Sequence, residues 1–146
     1  MATKIKIKVE NKILIIRFKT KDYMNEILDP LSNQYEGKLT NRQGHNFPSD
    51  FIPNESHILS PYKSKCAYVI GMYNAEGMAH ELLHAKFYMD LTYRNKINKE
   101  WVELSDKHQT HITRFLKSMG YADKVIIDEY QAYRYSESAN FFGIKF

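Results

Sequence analysis

The stretch Asn74-Ala75-Glu76-Gly77-Met78-Ala79-His80-Glu81-Leu82-Leu83-His84-Ala85-Lys86-Phe87-Tyr88-Met89 decides how the chain is read. Met78, Leu82, Leu83, Ala85, Phe87 and Met89, continued by Leu91, predict one helix from about Asn74, as N-cap, to Tyr93. Being apolar on most sides, it should be a buried central helix. Within it, His80-Glu81-Leu82-Leu83-His84 forms an H-E-x-x-H motif. Side chains at i and i+4 lie one above the other on a helix, so both imidazoles can aim at one point while Glu81, one position on, flanks it. That is the arrangement of a zinc site with an adjacent base. Among Met, Leu, Ala and Phe, two imidazoles and a carboxylate would be buried polar groups in want of partners, and one cation satisfies all three. Zinc is the default metal for two His and a carboxylate, with iron, cobalt and manganese open on ligand type. The plainer reading makes His80 and His84 core histidines bonded to backbone carbonyls and turns Glu81 to solvent.

Upstream, Ile5, Ile7 and Val9 alternate with Lys4, Lys6 and Lys8, and Glu10-Asn11-Lys12 leads into Ile13-Leu14-Ile15-Ile16-Arg17-Phe18. Two strands around a tight turn are expected, with the lysines on the solvated side of the hairpin. A short helix from Asp22 to Leu28 should end at Asp29-Pro30. From about Ser32 to Pro61 the chain is rich in Asn, Ser, Gly and Pro and reads as a long loop that could border a cleft. Lys65–Met72 reads as a strand. Downstream, a second helix is expected over about Lys99–Met119, with Trp101, Leu104, His108, Ile112, Phe115 and Met119 on one stripe and Gly120 as C-terminal cap. A third should run from about Asp123 to Glu137. The fold class is therefore α+β: an N-terminal β-hairpin or small antiparallel sheet packed on the buried helix and two further helices, in one domain over residues 1–146.

The chain has 146 residues, 43% of them hydrophobic and 26% charged, which suits a single core. A net charge of +4 with the positive residues clustered only at the N-terminus, and eleven dispersed tyrosines, argue against a nucleic-acid-binding face. A lone cysteine, Cys66, excludes an internal disulfide framework and a multi-cysteine zinc finger, so any metal site must rest on His and carboxylates. No apolar run approaches a membrane helix, and no secretory segment opens the chain. A soluble, cytoplasmic protein is the expectation.

A catalytic zinc needs a third protein ligand. Glu129 is the leading candidate, because Val125, Glu129, Ala132 and Tyr133 share a helical face and a carboxylate emerging from that stripe calls for a cation. Asp128, one step round, suits a supporting role. His108 and His111 are the rivals. Here the chain resembles known families: His80-Glu81-Leu82-Leu83-His84 with Ala85 and Tyr88, then Gly120-Tyr121 and Asp128-Glu129-Tyr130-Gln131-Ala132-Tyr133, is similar to the zincin metallopeptidases whose third ligand is a glutamate on a later helix, the gluzincins. Asp128 stands where the thermolysin-like pattern has Asn. The resemblance covers roughly Gly71–Glu137 and implies a zincin-like fold, His80, His84 and Glu129 as zinc ligands, and Glu81 as general base. A second resemblance, carried by His108, Ile112, Phe115, Leu116 and Gly120, is to SprT-like proteases, and implies His108 as third ligand.

On the zinc reading the function is hydrolysis of peptide bonds in a peptide or protein substrate: the metal acidifies a water and polarises the carbonyl, and Glu81 carries the proton to the leaving nitrogen. Tyr133, His108 or His111 could stabilise the developing oxyanion. The alternative is a non-catalytic, zinc-stabilised binding module, which would have no use for an acid between the two histidines. The apolar tail Phe141-Phe142-Gly143-Ile144-Lys145-Phe146 is expected to pack on the core; the other possibilities are an edge strand or a cover over the site.

Overall fold

A computed structural model describes residues 4–146. The N-terminal hairpin is present: β1 (Ile5–Glu10) and β2 (Ile13–Phe18) pair antiparallel from Ile5 opposite Phe18 to Glu10 opposite Ile13. Asn11 and Lys12 both take positive φ, 52° and 65°, which gives the two-residue turn the twist its strands require. Ile5 and Ile7 are half-buried against the core while Lys6 and Lys8 face water.

The next element is longer than the sequence suggests. α1 (Lys21–Glu36) starts at a Thr20 cap and runs through Pro30 instead of ending before it. The lost hydrogen bond and the ring's crowding cost about 3 kcal/mol, but Met24, Leu28, Leu31 and Ser32 lie buried on one stripe that spans the proline, and that packing wins. The expected long loop is also corrected. It holds the end of α1, strand β3 (Gly44–Pro48) and two 3₁₀ turns, Ser49–Phe51 and Ser60–Lys65. Strand β4 (Tyr68–Met72) follows.

The sheet is mixed, not antiparallel throughout, in the order β1-β2-β4-β3. β2 and β4 run parallel because the chain between them crosses over through α1, whereas β3 and β4 pair antiparallel. One face, with Leu14, Ile16, Phe18, Phe47 and Val69, packs on α1. The other, with Ile15, Tyr68, Ile70 and Met72, packs on Ala85 of α2 (Met78–Met89).

The expected first helix is two. α2 ends at Asp90, whose extended backbone (φ −106°, ψ 102°) and side-chain bond to the Tyr93 N–H begin α3 (Leu91–Glu103). Asn74 closes a turn onto Glu76 instead of capping α2. The expected second helix breaks likewise at Leu104, and Ser105 caps α4 (Asp106–Ser118) by accepting from the His108 N–H. Its end is as expected: Gly120, at φ 108°, follows the last turn, and the Tyr121 N–H reaches back to Leu116 O. After a 3₁₀ turn at Asp123–Val125 comes α5 (Ile126–Ser136). The tail packs on α4 and α5, with Phe142 buried beside Ile112, Leu116 and Tyr130. No helix among the described residues is long and apolar enough to cross a membrane.

Candidate metal centre

α2 is not buried all round as its composition suggests. Leu82 and Met89 face solvent, and the residues it buries are Glu81, His84 and Ala85. The sheet takes one side of the helix and α5 another, so the polar residues of the motif are the ones pressed into the interior.

His84 Nε2 lies 3.1 Å from His80 Nε2 and 3.3 Å from Glu129 Oε1, and His80 Nε2 is 3.9 Å from the same oxygen. His80, His84 and Glu129 are thus gathered into one group whose donor atoms could hold a metal ion. The partners of the other ring nitrogens set the tautomers. His84 Nδ1 donates to Asp128 Oδ1 at 2.8 Å. The Ser136 hydroxyl gives its proton to Ala132 O at 2.6 Å, which leaves its oxygen to accept from His80 Nδ1 at 2.9 Å. With both Nδ1 atoms donating, both Nε2 atoms present lone pairs to each other and to a carboxylate oxygen. While both imidazoles are neutral, these three acceptors face one another without a donor, and Glu129 Oε1 is buried with no hydrogen-bond partner. Two imidazole nitrogens and one carboxylate oxygen fit a divalent transition metal, zinc among them.

The titration directions have the same cause. Burial pulls the His84 imidazole down, but Asp128 and Glu129 outweigh it and hold it well above the usual range. Burial, with His84 beside it, lowers His80 to about 3. Burial also raises Glu129 despite the attraction of His84. A proton on His84 satisfies one acceptor at most, whereas a metal ion faces all three.

Glu81 sits beside this group and not in it. Its Oε2 is buried without a partner, and burial lifts the carboxyl to about 7, against the pull of His84. Asn46 of β3 accepts from the Tyr68 hydroxyl at 2.5 Å and turns its amide to Glu81. Gly44, the first residue of β3, passes under the carboxylate so closely that a Cβ there would stand 2.8 Å from Glu81 Oε1.

The cleft over these groups measures 330 Å³ and is bordered by Glu36, residues 39–44, Tyr121 and Tyr133. Part of the segment 32–61 does therefore border it, and the C-terminal tail does not. The Tyr133 ring lies against His80, the ring centroids 4.5 Å apart and the planes tilted by 58°, and its hydroxyl is 2.8 Å from that of Tyr121. His108 and His111 stand elsewhere. His108 lies against Phe146, and His111 donates to Phe142 O at 2.7 Å.

Several residues of the site escape sequence reasoning. Gln131 donates to both Asp128 Oδ1 and Leu83 O, at 3.0 and 3.1 Å, tying α5 to α2. Asn46 comes from a strand with no pattern that marks it. Glu36 lines the cleft from the end of α1, where Arg42 holds it at 3.1 Å. Only Ser136, four residues after Ala132 on the Glu129 helix, carries a usable signal, its spacing for a bond to the helix backbone.

A comparison of the chain with protein-family models, curated proteins and solved structures finds no match.

Proposed function

We propose that the chain is a zinc-dependent peptidase, with His80, His84 and Glu129 as the zinc ligands and Glu81 as general base. The observation that carries this reading is the convergence of the His80 and His84 imidazoles and the unpartnered Glu129 Oε1 on one point, beside a second buried carboxylate, Glu81, that is not one of them. A zinc ion that served only to hold the fold together would need no such acid. The likeness to gluzincins, including a zincin-like arrangement of helix and sheet, belongs to this proposal and rests on the motif residues.

When bound, the metal would supply a Lewis acid that acidifies water and polarises a carbonyl. The chain's own groups supply the rest. Glu81, held near neutrality by burial, accepts a proton from water as the water oxygen bonds to the carbonyl carbon. It returns that proton to the nitrogen as the C–N bond breaks. Tyr121 and Tyr133 are both kept protonated by burial and by the neighbouring Glu129 carboxylate. Since one of the two hydroxyls accepts from the other, the pair has one proton left to donate toward negative charge on the carbonyl oxygen. Asp128 and Ser136 fix the imidazoles in the tautomer that leaves Nε2 free. The free thiol of Cys66 suits a reducing compartment, and we assign the enzyme to the cytoplasm.

Elemental analysis of protein purified without chelator should find about one zinc per chain. The Glu81→Gln variant should keep that zinc and lose hydrolysis by several orders of magnitude. A chain that neither carries nor takes up a transition metal refutes the reading, and so does a Glu81→Gln variant that cleaves as well as the parent.

A further inference from the structure

The C-terminal tail does not border the cleft, yet it reaches the site through one ring. Past the end of α5 the chain reverses over two turns, the Phe141 N–H donating to Ser138 O at 3.0 Å and the Gly143 N–H to Asn140 O at 2.9 Å. The reversal lays Phe141 back on Tyr133 of the helix the chain has just left, with ring centroids 4.4 Å apart and planes within 7° of parallel. His80 lies 4.5 Å from the same Tyr133 ring. Two rings that near cannot share one face of a third, so Tyr133 is gripped between a candidate metal ligand on one side and the tail on the other.

The tail is itself firmly held. Phe142 is 2% exposed among Ile112, Leu116 and Tyr130. The His111 imidazole donates to its carbonyl at 2.7 Å, and Phe115 of α4 sets its ring edge-on to both Phe141 and Phe142, with centroids 5.3 and 5.5 Å away. Further on, the Arg134 guanidinium lies 3.9 Å from the centre of the Phe146 ring. These anchors belong to α4 and α5, so the tail is fixed to the helix that carries Glu129 and Tyr133.

Among the described residues the Tyr133 hydroxyl has one hydrogen-bond partner, the Tyr121 hydroxyl, which can itself rotate. The χ2 torsion of a tyrosine is broad, and one bond between two hydroxyls leaves the ring free to tilt. Rings against both faces remove that freedom. Resting on the peptidase reading above, in which the tyrosine pair donates toward the carbonyl oxygen, the geometry points to Phe141 as a positioning residue: its stack on Tyr133 is the means by which the tail aims that hydroxyl. Phe141 does not line the cleft, so it acts through Tyr133 and not on the substrate. A side chain needed only for packing has to be apolar and of the right size, whereas one that aims a ring has to be flat.

The test compares Phe141→Leu, which keeps apolar bulk and loses the flat ring, with Phe141→Tyr, which keeps the ring, using the zinc-loaded full chain and fluorescein-labelled casein. Phe141→Leu should lower kcat about tenfold at unchanged KM and zinc content, and Phe141→Tyr should stay within about twofold of the parent. In a double variant with Tyr133→Phe, the leucine should cost nothing further, because its effect passes through the hydroxyl already removed. Aromatic NMR adds a readout without turnover: the Tyr133 ring protons, shielded by the ring stacked on them, should move downfield in Phe141→Leu and hold in Phe141→Tyr. A Phe141→Leu variant with the parental kcat, or costs that add in the double variant, overturns the inference and leaves the peptidase standing. No hydrolysis by a zinc-replete parent overturns the peptidase itself, and unshifted Tyr133 signals overturn the inference whether or not casein is cut. Should Phe141→Leu fail to fold, Phe141→Met takes its place in each comparison.

Discussion

Replacing Glu129 by Gln separates a metal ligand from a buried structural acid. Its Oε1 stands 3.3 and 3.9 Å from the two imidazole Nε2 atoms and has no hydrogen-bond partner, so the amide changes the charge at that point and little of the packing. For a ligand, the loss in zinc affinity should be about 1,000-fold or more, equivalent to about 4 kcal/mol. Asp128→Asn alters the group behind His84 Nδ1 and should cost only about 10- to 100-fold. His108→Ala, removed from the cluster, should cost nothing measurable. The metal-free protein supplies a second signature. Burial holds the Glu129 carboxyl above its ordinary range, so its ionised form costs stability near neutral pH, and the neutral amide should leave the apo melting temperature unchanged or higher. Zinc affinity by chelator competition, circular dichroism and thermal unfolding of the chelated protein give all the quantities. If Glu129→Gln binds zinc within tenfold of the parent while unfolding at a lower temperature, Glu129 is a structural acid. If His108→Ala suffers the larger loss of zinc, the site is built from three histidines.

Tyr133→Phe should lower kcat about 100-fold or more with KM little changed, because it removes a proton donor of the tyrosine pair while keeping the ring on His80; an unaltered kcat would assign the pair a packing role. Ser136→Ala frees His80 Nδ1 and should weaken zinc binding about tenfold, measured by the same competition, and no change would mean the tautomer is set otherwise. His45 is buried, donates Nε2–H to Asn25 and accepts from Ser32, and burial with Arg42 nearby depresses it to about 3. Its neutral form is the folded one, so the stability it brings is complete above its unfolded value near 6.5 and is lost as pH falls toward 3. The stability gap between the parent and His45→Gln, from urea unfolding, should therefore shrink by about 1.4 kcal/mol per pH unit below 6.5, and a gap independent of pH would refute this.

What could be read from the chain and what could not divide by the range of the interactions involved. His80, Glu81 and His84 are set by spacing on one helix, and Glu129 by its place on a second apolar stripe, so their meeting needed only that the two helices pack. Gly120 and the Asn11-Lys12 turn are equally local. The breaks at Asp90 and Ser105 had their signals in plain view, since both are cap residues, but a long apolar pattern running across them outweighed a single side chain. β3 offered less. Gly44-His45-Asn46-Phe47-Pro48 has no strand pattern because its polar side chains are satisfied by residues far away in the chain: His45 by Asn25 and Ser32, Asn46 by Tyr68. Those same contacts decide the shape of the site. They bury the strand edge and bring Gly44 beneath Glu81, and α1 persists past Pro30 to deliver Glu36 to the cleft. The candidate metal-binding atoms are thus local in origin, while the wall that limits what can reach them is made by long-range packing, which no single stretch of the chain displays.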